Sequence, residues 1–463
     1  MTSLPDAIID QEIGLVKQLI LRGADVNEID PYGFTPLIES AIVDNMEIAG
    51  LLIQAGANVN LQDLTGGTSL QWAVENNNIP FVELLLKQGA NPNSYNFAGQ
   101  PVLTMPILRH QTRLKNLLIK AGASLDFAQD YINVKTLGHI FELVGMANII
   151  SPVNQYVEVD FEGFYLEVTL ALITESVAQY KNHFAARQMR RLGPMMNIIV
   201  EVLDRASQLI KFQQYRVDRK KYKDQINTLI ETEPLIMPIG YEGHAITLVK
   251  FSDILVKCDR REASRLYDNV MIYRITRPEN YSPKFVRDIL YKPRSDDFVN
   301  SELPELLGLV PITEIKVSAQ ISGNCSWANV EACVPALLFL LSTSSPDFVN
   351  RIPHYKSISL NFFHQWREWN KDRALHYCLQ SFKEADAIRK ICKAEILAAI
   401  LFQRLREDTG RERERIELIL PILLEPKYKY ILDNYVRSYC YEGYSEDGVQ
   451  FLRLLESYGY KKK

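Results

Sequence analysis

Cysteine is scarce. Six residues in 463, with no CxxC pair and no regular spacing, do not make a disulfide framework, so a reducing compartment is expected. A surplus of one charge is missing too: 52 Lys and Arg against 56 Asp and Glu give a net charge of −4. That balance argues against direct nucleic-acid binding through bulk charge. With 22 glycines and 21 prolines, the chain has too few of either to be collagenous or largely disordered. Long apolar runs are also lacking. The longest, Val334 to Leu341 and Ala394 to Phe402, fall far short of the ~20 residues a membrane helix needs. The start, Met1-Thr2-Ser3-Leu4-Pro5-Asp6, has neither the basic nor the apolar region of a signal peptide. Cys and His nowhere cluster at ligand spacing, and no phosphate-binding glycine loop is present, so neither a metal nor another cofactor is expected. What remains is a soluble protein, 47% apolar, long enough for two to four domains at roughly 150 residues each.

The first 130 residues repeat. Gly23, Gly56, Gly89 and Gly122 recur every 33 residues. Around them stand Gly23-Ala24-Asp25-Val26-Asn27, Gly56-Ala57-Asn58-Val59-Asn60, Gly89-Ala90-Asn91-Pro92-Asn93 and Gly122-Ala123-Ser124-Leu125-Asp126. The same period carries Gly33, Gly66 and Gly99, and takes Thr35-Pro36-Leu37 into Thr68-Ser69-Leu70. An apolar helix end precedes each Gly-Ala pair. This stretch resembles the ankyrin repeat in four copies, which implies an all-α solenoid that binds a partner protein. Thr35 and Thr68 are expected to cap the first helix of their repeats, and the glycines to end the second. Trp72 is read as packing. Tyr32, Tyr95 and Phe97, at the hairpin tips between repeats, are the candidates for partner contact. Leu137, Ile140, Phe141 and Val144 follow helical spacing and are expected to cap the open end of the array.

Farther on, Leu166–Ala186 and Met196–Lys211 have helical periods, punctuated by Gly193-Pro194. The basic run Arg216 to Lys223 reads as a solvated face. Pro238-Ile239-Gly240-Tyr241-Glu242-Gly243-His244-Ala245-Ile246-Thr247-Leu248-Val249 reads as a glycine-rich entry into a β-branched strand. After a turn at Phe251-Ser252-Asp253, Ile254 to Asp259 is the returning strand, and Val270 to Ile275 a third. A hairpin folded near Ser252 brings His244 opposite Asp259 or Arg260. A carboxylate there would fix the tautomer of the imidazole and stabilise its protonated form.

In Gln320-Ile321-Ser322-Gly323-Asn324-Cys325-Ser326-Trp327, small and polar residues precede a helix-like stripe of Trp327, Val330, Val334, Leu337, Leu338 and Leu341. With Asn324 or Ser322 as N-cap, Cys325 falls in the first turn, where free N–H groups favour a thiolate. Gln320 is placed to donate to an oxyanion beside the Cys325 N–H. The combination resembles the papain-like cysteine peptidases. That resemblance implies an α+β domain with Cys325 as nucleophile, His244 as base, Asp259 as orienter and Gln320 in the oxyanion hole. The order His, Asp, Cys would make it a circularly permuted member. His354, His364 and His376, which follow Cys325, are rival bases, His354 the best of them because it follows a proline in a loop. The other cysteines read as buried small hydrophobes.

From Leu360 onward the pattern is helical. Ala394 to Leu405 reads as a buried helix, Thr409 to Glu417 as a charged turn, and Pro421 and Pro426 as boundaries. Tyr428, Tyr430, Tyr435, Tyr439, Tyr441 and Tyr444 enrich the end. The expected architecture is therefore an ankyrin solenoid over 1–130, a capping helix with a permuted papain-like domain over 131–345, and a C-terminal helical region over 346–463. As a whole it resembles the ankyrin-repeat effectors that bacteria such as Legionella inject into host cells. The resemblance implies export by a type IV secretion system, with the acidic stretch Glu442 to Gly448 compatible with a C-terminal signal. The expected protein is a monomer that docks a host protein in the host cytosol or nucleus, with no membrane partner. Two functions follow as alternatives: thiol-dependent acyl transfer as a peptidase or deamidase, or a silent domain in a binding scaffold.

Overall fold

The computed structural model describes residues 3–213, 219–241, 243–261, 270–321, 323–344, 348–406, 409–440 and 446–461. Tyr441, Tyr444, Ser322, the start of the basic run at Arg216 and most of Glu442 to Gly448 lie outside them. The chain forms two compact units, each discontinuous in sequence: 1–135 with 146–160 and 385–396, and 136–145 with 161–384 and 397–463.

The first unit holds four helix pairs: Leu4–Ile9 with Ile13–Leu21, Pro36–Ile42 with Met46–Gln54, Ser69–Glu75 with Ile79–Lys87, and Thr104–Leu108 with Thr112–Lys120. Thr35 Oγ1 accepts the Ile38 amide at 3.2 Å. Thr68 and Gln71 form a reciprocal capping box, which satisfies amide groups that a helix start leaves unpaired. Leu37, Ile48, Leu52, Leu70, Phe81, Leu85, Leu114 and Leu118 make one continuous core, since no pair can bury its apolar face alone. Trp72 packs against that core while its indole N–H donates to Asp63 Oδ2 at 3.0 Å. Asn27, Asn60 and Asn93 each bridge to the next repeat, their amides reaching the carbonyls of Gly56, Gly89 and Gly122 at 3.2, 3.0 and 2.9 Å.

The hairpin tips stack as well. At Gly66, where φ is +79°, an added Cβ would lie 2.7 Å from both the Phe97 nitrogen and its ring. In the third tip, Gly99 is covered instead by a two-stranded antiparallel sheet, β1 (Met146–Ile150) with β2 (Tyr156–Asp160). The sequence gives no warning of these five-residue strands. The helix Leu125–Ile140 follows the array. Leu137, Ile140 and Phe141 are buried as the spacing predicts, but Val144 lies past the helix and is exposed.

The second unit is built on a five-stranded antiparallel sheet of sequential order: β3 (Leu235–Tyr241), β4 (His244–Phe251), β5 (Ile254–Cys258), β6 (Val270–Ile275) and β7 (Leu309–Ile315). The stretch read as one strand around Gly240 is thus a hairpin, with Tyr241 paired to His244. Pro238 and Pro311 sit on the two edge strands, where a missing N–H is tolerated. One face of the sheet, with Met237, Ile239, Ile246, Leu248 and Leu255, packs on Ile226, Leu229, Val286 and Ile289. Helices Leu166–Asn182 and Gly193–Lys211 pack together, and Gly193-Pro194 opens the second of them. Between them and β4 lie the short helices Cys325–Glu331 and Cys333–Leu341. The stretch Cys325–Ser344 is long and apolar enough to cross a membrane, but 83% of its most apolar window is buried within the protein.

Among the described residues, five α-helices follow: Ile352–Glu384, Ala387–Arg404, Gly410–Leu423, Lys429–Tyr439 and Glu446–Ser457. The charged stretch from Thr409 is not a turn. Thr409 caps a helix, accepting the Glu412 amide at 3.2 Å, and Pro421 lies inside that helix near its end.

Candidate functional site

β4 and β5 join through Ser252 at φ +53°, with Phe251 paired to Ile254. The register then sets Thr247 against Cys258. Continued by one residue it places Asp259 across from Ile246, not His244. Side chains two residues apart share a face, so His244 and Asp259 are diagonal neighbours. His244 Nε2 stands 3.0 Å from Asp259 Oδ1, both side chains largely buried. Cys325 lies within hydrogen-bonding reach of the same imidazole. The three residues that the hairpin and the cysteine flank suggested come together.

The electrostatics follow from these contacts. Burial alone pushes the Asp259 carboxyl up, but hydrogen bonds from His244 and Arg261 and the charge of Lys257 hold it well below the usual carboxylate range. Burial likewise disfavours a charged His244, yet Asp259 and Cys325 outweigh it and raise the imidazole. For Cys325, burial disfavours the thiolate. The hydrogen bond of His244 and those of the Ala245 and Ser326 backbones more than compensate, so the thiol titrates low. A lowered thiol beside a raised imidazole shifts both groups toward a thiolate–imidazolium pair.

Asn324 occupies the N-cap position of the cysteine helix, with Cys325 in its first turn as expected, but its side chain is used elsewhere. It makes no cap hydrogen bond; its Oδ1 lies 2.6 Å from His139 Nδ1 instead. The His139 ring stacks parallel on Trp327 at 5.7 Å. Gly323, at φ +74°, accepts the Gly163 amide at 3.1 Å, and a Cβ there would meet the Glu162 carboxyl at 2.4 Å. The loop before Cys325 is therefore held closely from the 161–164 segment. Gln320 is half-buried; its amide nitrogen on the backbone donates to Arg260 O at 2.8 Å, and its Oε1 accepts from Asn329 at 3.3 Å.

The rival histidines lie elsewhere. His354, His364 and His376 all fall within the helix Ile352–Glu384, so His354 is helical and not in a loop. Proline is readily accommodated in a first turn, which the loop reading overlooked. Beside Asp259, the fully buried guanidinium of Arg260 pairs with Glu142 at 2.9 Å and Glu331 at 3.2 Å. Residues that the sequence reading missed are His139 and Asn329, and the burial of Arg260 was not foreseen. The signal for His139 and Asn329 was polarity inside apolar stretches, most plainly Asn329 and Glu331 on a largely apolar helix. Of the hairpin-tip aromatics, Tyr32 and Phe97 are 76% and 72% exposed. Tyr95 is half-buried, its ring edge-on to Phe127 at 5.6 Å, because the helix that follows the array packs beside it.

Comparison with known proteins places these observations. The ankyrin-repeat family matches residues 6–96 in three copies. No curated protein matches the chain. Among solved structures, that of the Legionella effector AnkH is similar over 100% of this chain and 98% of its own, with a TM-score of 0.85 and 38% identity.

Proposed function

The chain belongs to the family of the Legionella effector AnkH, and from that premise we propose that it is a secreted effector that docks a host protein on its ankyrin repeats and performs cysteine-dependent acyl transfer. It acts as a monomer in the host cytosol or nucleus, without a cofactor. One observation carries the chemistry: the same His244 imidazole meets Asp259 at 3.0 Å and interacts with the Cys325 thiol. The order of these residues and the strand–hairpin–helix setting support a permuted papain-like domain.

In this reading the Cys325 thiolate attacks a peptide, isopeptide or side-chain amide carbonyl, forming a C–S bond. His244 imidazolium then protonates the leaving nitrogen as the C–N bond breaks. Water attacks the thioester, with His244 taking its proton, and releases a carboxylic acid and the free thiol. Asp259 orients the ring and stabilises its charged form. The Cys325 N–H and the Gln320 side chain are the candidates for holding the oxyanion. Tyr32 and Phe97 form the docking surface, since exposed aromatics at array tips give large contact area at little entropic cost.

The test is a chromogenic acyl ester such as p-nitrophenyl acetate, with the protein in excess of background hydrolysis. A burst near one equivalent, with the acyl group found on Cys325 by mass spectrometry and lost in Cys325→Ser, is expected. Steady release with no acyl-Cys325 would overturn the acyl-transfer reading. It would leave the second reading, docking alone by the exposed tips, in its place.

A further inference from the structure

Asn329 lies four residues after Cys325, so the two side chains share one face of the helix Cys325–Glu331, one turn apart. Its side chain is completely buried. Nδ2 donates to the Ala245 carbonyl at 2.6 Å and to Gln320 Oε1 at 3.3 Å, while Oδ1 accepts the Arg260 amide at 2.7 Å. Each partner adjoins a residue of the site: Ala245 follows His244, Arg260 follows Asp259, and Gln320 is the oxyanion candidate. The Ala245 peptide is gripped from both ends, its backbone serving Cys325 and its carbonyl Asn329. Arg260 is itself fixed by Ser318, whose carbonyl accepts from Nε at 2.8 Å, and by Glu142 and Glu331. One amide thus ties the His strand, the Asp strand and the Gln loop to the cysteine helix.

We propose that Asn329 is the positioning residue of this site: its carboxamide sets the distance and angle of the His244–Asp259 pair relative to Cys325. The proposal rests on the reading of Cys325 as an activated thiol. A carboxamide suits the task because it offers a donor edge and an acceptor in one rigid plane, and a buried, fully used polar network specifies one geometry. No other amino acid of this size presents both.

The test uses the full-length protein and iodoacetamide, with labelling at Cys325 read by peptide mass spectrometry from pH 5 to 10. In Asn329→Ala the midpoint of labelling should rise by about one unit, so that the rate at pH 6.5 falls roughly tenfold, while the rate at pH 10 stays within about threefold. A residue of merely structural importance would instead change the high-pH rate by loosening the site. Cys333→Ala, an equally buried change one turn farther on, should leave the midpoint where it is. A low midpoint in the wild type that Asn329→Ala does not move overturns this proposal alone. A wild-type midpoint of an ordinary thiol overturns both it and the acyl-transfer reading. Should Asn329→Ala fail to fold, amide hydrogen exchange at Arg260 in the wild type decides: strong protection supports the Asn329 acceptor, and exchange at open-loop rates contradicts it.

Discussion

At the residue scale, the candidate site is a short series of titratable groups, each shifted by its neighbour. Asp259 is held below its ordinary value of 3.8 and His244 above its ordinary 6.5. A depressed carboxyl stabilises the fold above its unfolded pKa, and that contribution fades as pH falls through the folded value. A raised imidazole stabilises it below the unfolded pKa, and that contribution fades as pH rises through the folded value. The pair therefore contributes most between about pH 4 and 6.5. Asp259→Asn should lower the melting temperature most within this window, with the gap to wild type narrowing on both sides; a constant gap would contradict the assignment. Cys325, His244 and Asp259 were legible because local chemistry marks them: a polar flank before a helix, and a hairpin of countable length. Asn329 and His139 were not, because their value lies in partners far away in sequence, Arg260 and Ala245 for one and Asn324 for the other.

At the element scale, legibility followed periodicity. The ankyrin helices declare themselves through a 33-residue period, and β4, β5 and β6 through β-branched runs. β3 and β7 were hidden by Pro238 and Pro311, and the helix from Gly410 by its run of Arg and Glu. These elements take their conformation from packing or capping that no local pattern encodes. The repeat glycines allow a direct test of tip stacking. Gly56 and Gly66 both have positive φ, but a Cβ at Gly56 meets open space, whereas at Gly66 it meets Phe97. Gly56→Ala should cost about 1–2 kcal/mol from backbone strain alone. Gly66→Ala should cost a further ~1–3 kcal/mol from overpacking. Urea unfolding of the two variants checks this, and equal losses would contradict the stacked arrangement.

At the scale of the whole molecule, the chain doubles back twice. Residues 385–396 return to the repeat unit, where Arg389 and Lys393 pair with the buried Asp130 at 2.7 and 2.5 Å. In the other unit, Arg260 and Arg367 meet Glu142 and Glu331, four residues drawn from four distant segments. Nothing local in the sequence announces such meetings. Arg260→Met should cost about 3–5 kcal/mol in urea unfolding, since removing one member of a buried charge cluster leaves the others uncompensated. A loss below ~1 kcal/mol would contradict it, that being the worth of an exposed pair. The same arginine fixes the end of β5, so fold and site are joined at Asp259. The most direct measurement of the central claim is the pH dependence of Cys325 alkylation in wild type and His244→Ala. The account predicts fast labelling well below pH 8 that collapses without His244. Labelling as slow as that of an ordinary thiol, and indifferent to His244, would contradict it.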